Sequence, residues 1–236
     1  MNILKKIFTN DKIYYFFKFI FIFALFISWE AALIEIVKPI IKIYPSSNTF
    51  FLFIINILFL VFLFFNYKKN VIKDFKDFFK DFFKNFENAF KYWIIGFIIM
   101  IISNVIIIYI AKAGIGGNEE EVRNFIDLSP IYMIFRVSIY APLTEELIFR
   151  KGIRDFIKNK WVYVIVSGCF FGSLHVLPSL SSPINFVELL YLIPYCSLGI
   201  AFAYSYQKSN NIFSTISMHA IHNTLAISLY LMGSVI

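Results

Sequence analysis

Apolar residues run in long stretches along this chain, and polar residues collect in the short connections between them. A membrane helix needs about 20 mostly apolar residues. Seven segments meet that length: 13–36, 48–67, 92–111, 129–150, 161–178, 186–206 and 211–234. The second contains FFLFIINILFLVFLFF, and the third runs from Tyr92 to Ala111 without a charge. The fourth is the least apolar and carries charged residues. A different rhythm occupies 71–91. There Phe75, Phe78, Phe79, Phe82, Phe83, Phe86 and Phe90 recur at three- and four-residue steps, with Lys and Asp on the other face. Asp77 with Lys80, and Asp81 with Lys84, can pair along that face. This pattern predicts an amphipathic helix lying in the membrane interface as a surface anchor. The expected fold is therefore all-α: a polytopic membrane helix bundle of about seven transmembrane helices plus one interfacial amphipathic helix.

Composition agrees with this reading. Of 236 residues, 59% are hydrophobic and 16% charged, and Phe alone accounts for 31. Soluble domains carry about 45–50% apolar and about 25% charged residues. A soluble enzyme and a disordered chain are both excluded. Two Cys, Cys169 and Cys196, cannot make a disulfide framework and sit in apolar runs. The chain reads as one membrane domain over 1–236, with N-terminal helices in 1–128 and a chemically richer core in 129–236.

The formal net charge is +7. It has a membrane explanation, because Lys and Arg crowd at the cytoplasmic ends of membrane helices. No basic stripe lies on a soluble domain, so no nucleic-acid partner is expected. The 67–91 connection holds Lys68, Lys69, Lys73, Lys76, Lys80, Lys84 and Lys91. The 150–160 connection holds Arg150, Lys151, Arg154, Lys158 and Lys160. The 112–128 loop is acidic, and the 179–185 loop has no Lys or Arg. This alternation predicts a multi-pass protein of the cell membrane with a cytoplasmic N-terminus, although Lys38 and Lys42 go against it. Lys5 and Lys6 precede an apolar stretch as in a signal peptide. The stretch is long and lacks a small-residue cleavage site, so it reads as a retained helix.

Charges at the centre of a membrane helix cost about 2.5–3.5 kcal/mol on insertion scales, so those present are expected to be paired or functional. Lys18, Glu30, Glu35 and Glu188 sit where they can snorkel, and they are assigned no role. Three clusters remain. In Pro142-Leu-Thr-Glu145-Glu146-Leu-Ile-Phe-Arg150, Glu146 and Arg150 are four apart in the favourable order and can neutralise each other. Glu145 points about 100° away and is left free for chemistry. Pro142 removes a backbone donor, and a kink there would open space beside Glu145. In the second cluster, His175 follows Gly168 and Gly172, a small-residue face suited to close helix approach. In the third, His219 and Asn223 share a face, and two donors converging on one point suit an oxyanion. His222, about 60° to the side, reads as interhelical glue.

Heights agree if segment four continues as a helix to about 158. Glu145 and His175 then lie ~20 Å, and His219 ~13 Å, from the cytoplasmic ends of their helices, so the site falls in the cytoplasmic half. A free carboxylate, two His and an Asn can activate a water and stabilise an oxyanion, which favours hydrolysis. An ion-coupled transporter is the competing reading. It needs a polar path to both sides, which the outer halves of segments two and three do not offer.

APLTEELIFRKGI, then Phe-x-x-x-His in the next helix, then His-x-x-x-Asn in the last, resemble the CPBP family of intramembrane proteases. That family includes CAAX prenyl endopeptidases and bacterial proteins linked to bacteriocin processing and self-immunity. The resemblance covers about 129–236. Lys151 stands before Gly152, where many members have Gly directly after the Arg. The resemblance implies an intramembrane endopeptidase in which Glu145 is the general base acting with His175. It gives His219 and Asn223 the oxyanion, and Glu146 and Arg150 a supporting role. It also implies a peptide or membrane-protein substrate. The family is named as metalloproteases, so Glu145, His175 and His219 are also candidate ligands of a divalent metal such as zinc, beside a metal-free mechanism. A bacteriocin-immunity or peptide-sequestering protein without proteolysis is the alternative within the resemblance.

Overall fold

A computed structural model gives the structure of the protein and describes residues 11–180 and 186–233. Lys5, Lys6 and most of the 179–185 connection lie outside them. The described residues are helical with no strands. Eight helices follow one another. They are α1 (Asp11–Ile43), α2 (Asn48–Lys80), α3 (Phe82–Ile110), α4 (Gly117–Leu128), α5, α6 (Lys160–Val176), α7 (Leu192–Ser209) and α8 (Ile212–Gly233). Helix α5 is a relay of five end-to-end pieces: Pro130–Phe135, Arg136–Tyr140, Ala141–Glu145, Glu146–Gly152 and Ile153–Phe156. Its second and fourth pieces are π-helical.

Five stretches are long and apolar enough to cross a membrane: Asp11–Ile43, Pro45–Lys80, Phe82–Ile110, Lys160–Ser179 and Glu188–Ser209. The other two expected spans, 129–150 and 211–234, are occupied by α5 and α8. Their polar side chains leave them short of that measure, and those side chains build the site. Helix α5 does continue past 150, to Phe156, as the matching of heights requires.

The region 71–91 differs from its expectation. It is helical, but it is not a separate element. Residues 71–80 complete α2 and 82–91 begin α3, with one break at Asp81, where φ is −127° and ψ 52°. The apolar run of 48–67 and the amphipathic run after it share one helical period, and no Pro or Gly separates them. Helix α2 therefore carries on for 33 residues, about 50 Å at about 1.5 Å per residue, well beyond a hydrocarbon core of about 30 Å. Asn85 closes the corner by donating to the carbonyls of Asp77 and Phe78 at 3.1 and 3.0 Å. Buried Asp74 fastens the extension to the bundle: its carboxylate accepts the Ile212 N–H at 3.0 Å, at the start of α8.

The main core joins α1, α2, α5, α6, α7 and α8. Phe149 of α5 is its aromatic hub, meeting Phe23, Phe26, Phe170 and Phe171 edge-on at 5.7 to 6.1 Å. Such pairs contribute about 0.5–1.5 kcal/mol each beyond area burial. Helices α6 and α7 cross backbone to backbone. A Cβ added at Gly168 would lie 2.6 Å from the Ile200 nitrogen, and one at Gly199 2.5 Å from the Gly168 carbonyl oxygen. Tail lipids are as apolar as the helix faces, so close packing of this kind holds membrane helices together. Gly168→Leu is expected to separate α6 from α7 and abolish the monodisperse folded species. Size-exclusion chromatography in detergent checks this, and an unchanged profile would contradict the crossing.

Candidate active site

Helices α5, α6 and α8 bring the predicted residues together. Glu145 ends the central α-helical piece of α5, and Glu146 opens the π-helical piece after it. The two adjacent carboxylates have different surroundings. Glu146 is fully buried. Its Oε2 lies 3.1 Å from Arg150 Nε, and its Oε1 lies 2.9 Å from His219 Nδ1. Arg150 is also fully buried. Its guanidinium lies 4.6 Å over the Phe171 ring, and its Nη1 faces the Ser167 carbonyl and hydroxyl at 3.4 and 3.3 Å. The ion pair expected from spacing is present, and it is sealed from solvent.

Glu145 turns the other way, into a cavity of about 430 Å³. Its Oε2 is buried and accepts no hydrogen bond within the protein. His219 Nε2 is 3.8 Å from that oxygen and His175 Nε2 is 4.0 Å away. Both rings are fixed from behind. His175 Nδ1 lies 2.9 Å from the Phe171 carbonyl, which can only accept, so Nδ1 carries the proton. His219 Nδ1 faces the Glu146 carboxylate in the same sense. In the neutral rings, both Nε2 atoms then present lone pairs toward Glu145. With the rings neutral, the two Nε2 atoms and Glu145 Oε2 form a site for a proton-bearing molecule such as water.

Asn223 stands one turn beyond His219 on α8. Its amide donates to the Val137 carbonyl of α5 at 2.8 Å. The expected pair of donors on one point is not formed as such. The His219 proton points to Glu146, and one Asn223 N–H is engaged by α5. Its second N–H is the donor left to a ligand. His222 also lines the cavity, set edge-on to Phe97 at 5.6 Å, and its Nδ1 has no hydrogen-bond partner.

Several cavity residues carry no signal of their own in the sequence. Tyr195 stacks on His175 at 5.0 Å, and its hydroxyl accepts from Asn118 of α4 at 3.1 Å. Glu30 is corrected from a snorkelling charge to a cavity residue: Arg136 Nη1 lies 2.5 Å from its Oε2. Arg136 also reaches the Tyr132 hydroxyl at 2.8 Å, which accepts from Asn56 at 2.9 Å. The available signal is that two lone intramembrane charges of opposite sign tend to pair. Glu188, likewise given no role, accepts the Gly117 N–H at 3.3 Å. The cavity runs from Glu145 to Asn118 of α4 and Tyr230 of α8. It thus extends toward the acidic α4 end rather than the lysine-rich end, because α6 stops one residue after His175 and α4 covers the space there.

Glu145, His175 and His219 suit zinc in kind, and their Nδ1 partners are those that metal-bound histidines use. Zinc bonds of about 2.0–2.1 Å in a tetrahedron place ligand atoms about 3.4 Å apart. The distances here are 3.8 and 4.0 Å. No group of three or more His, Cys, Asp or Glu among the described residues is spaced to hold a metal ion. As placed, the three side chains do not fit zinc.

Known proteins give this site a context. Residues 127–225 match the family model of type II CAAX prenyl endopeptidases, Rce1-like. The chain is 29% identical over 123 residues to the Bacillus subtilis protein named "Putative membrane peptidase YdiL", covering 50% of this chain and 46% of that one. It is 32% identical over 87 residues to the UPF0177 protein YxdF of Lactococcus lactis, covering 37% and 44%. It is 29% identical over 104 residues to an uncharacterized protein of Mycoplasma capricolum, covering 42% and 28%. The match thus spans less than half the length of each relative. No solved structure matches the chain significantly. The matched stretch contains α5, α6 and α7, and α8 through Asn223, so all three motifs fall within it. The resemblance seen in those motifs thus has an independent counterpart: the helices that build the site are similar to type II CAAX prenyl endopeptidases of the Rce1-like family.

Proposed function

We propose that the chain is an intramembrane endopeptidase that hydrolyses a peptide bond of a membrane-associated peptide or protein. One observation carries this reading: His175 Nε2 and His219 Nε2 both face Glu145 Oε2, at 4.0 and 3.8 Å, and that oxygen has no hydrogen-bond partner within the protein. A water there donates a hydrogen to Glu145, with His175 aligning it, and its oxygen is left to attack the scissile carbonyl. As the water oxygen bonds to the carbonyl carbon, its proton passes to Glu145 or a histidine. The carbonyl oxygen takes the negative charge and meets the free N–H of Asn223, and His219 once protonated. Collapse breaks the C–N bond, and the proton goes to the leaving amine. Glu146 and Arg150 hold the His219 ring for this sequence of steps. The name of the Bacillus subtilis relative, a membrane peptidase, supports the reaction class. The lysine-rich connections support a cell-membrane protein with a cytoplasmic N-terminus.

The test compares membranes from cells making the wild-type protein or Glu145→Ala at matched expression, by mass spectrometry of peptide termini. New termini present only with the wild type are expected, and they name the substrate. Repeating the comparison with a chelator tests metal dependence, which the metal-free mechanism predicts to be absent. Identical profiles would instead favour a protein that sequesters a peptide without cutting it.

A further inference from the structure

We infer that Asn223 is a positioning residue: its amide closes the π register of α5 and so fixes the direction of Glu145. The argument starts from the backbone ladder. In an α-helix the Val137 carbonyl accepts the N–H of residue 141. Here the Ala141 N–H bonds to the Arg136 carbonyl instead, one residue further back. In the π register, the donor for Val137 is residue 142. Residue 142 is proline, which has no N–H. With the Ala141 N–H taken by Arg136 and none on Pro142, the π register leaves Val137 without a backbone donor, and an unpaired carbonyl inside a membrane protein is costly. Asn223 Nδ2 supplies the hydrogen bond from another helix at 2.8 Å.

The consequence is geometric. His219 and Asn223 lie one turn apart on α8 and hold α5 at two points, Glu146 and Val137. Glu145 lies between these points. The broken ladder at Pro142 leaves this stretch of α5 free to shift between α and π registers. A one-residue change of register rotates every side chain after it. The α8 amide selects the register in which Glu145 faces both Nε2 atoms. This role is separate from any contact with substrate, which would use the other N–H of Asn223. Only its cleavage readout rests on the proposed peptidase activity.

A double-mutant cycle in the full chain tests this. Pro142→Ala restores a backbone N–H that can reach Val137 in the π register. Asn223→Ala alone is expected to speed amide hydrogen exchange in 138–147 by about tenfold. In the Pro142→Ala background the same substitution is expected to have much less effect. Equal effects in the two backgrounds would overturn the inference. Asn223→Asp keeps the shape but loses the donor when ionised, so it should match Asn223→Ala. Wild-type exchange in Asn223→Asp would equally overturn the inference, and this arm stands if Pro142→Ala does not fold. In cleavage assays, Asn223→Ala should lower kcat at constant KM, and Pro142→Ala should restore part of it. An oxyanion contact alone would give no such rescue. A wild-type protein that cleaves nothing would count against the peptidase reading, while the exchange cycle would still decide the role of Asn223.

Discussion

Glu145→Gln is expected to leave the protein folded and to lower cleavage by about 10²- to 10⁴-fold, the range for loss of a general base. The amide matches the carboxylate in shape but cannot take a proton from water. Folding should survive because Glu145 Oε2 has no hydrogen bond within the protein to lose. The side chain is 14% exposed, against none for its neighbour Glu146. Thermal unfolding in detergent should therefore give a Tm near that of the wild type. The substrate for the rate measurement is the one found in the terminus comparison. Full activity in Glu145→Gln would remove the residue from the mechanism. Lost activity with lost folding would show that it is structural instead.

Arg150→Met should have the opposite profile. The Glu146–Arg150 pair has no exposed side-chain surface on either partner. Removing one member of a buried pair leaves the other uncompensated, at a cost of about 3–5 kcal/mol. Glu146 would still have His219 at Oε1, but it would lose the cation at Oε2. The cation–π contact with Phe171 would go as well. Adding Glu146→Gln to Arg150→Met removes the stranded charge and should recover a measurable part of the stability. Denaturation of the single and double variants in detergent checks this. Additive losses would mean that the two side chains do not act as a pair.

These two residues show why so much of the site was legible in the sequence. Charge is expensive in an apolar helix, so Glu145, Glu146 and Arg150 stand out against their surroundings. Spacing then assigned the pair, since residues four apart share a face. The spacing of Gly168 and Gly172 announced the close crossing with α7, whereas the role of His175 came from the resemblance of its motif and not from its place in the helix. Long-range partners were not legible. Glu30 and Arg136 lie 106 positions apart, and each alone looks like an end-of-helix charge. Tyr195 and Asn118 are ordinary residues until the fold places them over His175. The π-helical pieces of α5 were also hidden. Pro142 marks where a donor is missing, but which register the remaining carbonyls adopt depends on α8. The break at Asp81 was not legible, because a continuous helical period gives no sign of where one helix ends and the next begins.

The division of the site among α5, α6 and α8 also bears on biosynthesis. Helices are made and inserted in chain order, and α6 and α7 are the pair with backbone-to-backbone contact. They can dock as a hairpin while α8 is still on the ribosome. That hairpin carries His175, and α5 before it carries Glu145, but the nascent chain has neither His219 nor the amide that completes Val137. Glu146 and Arg150 both lie on α5 and can pair before α8 arrives, so the unfinished bundle tolerates these two charges. The constellation of Glu145, His175 and His219 is therefore complete only when α8 has joined the other described helices.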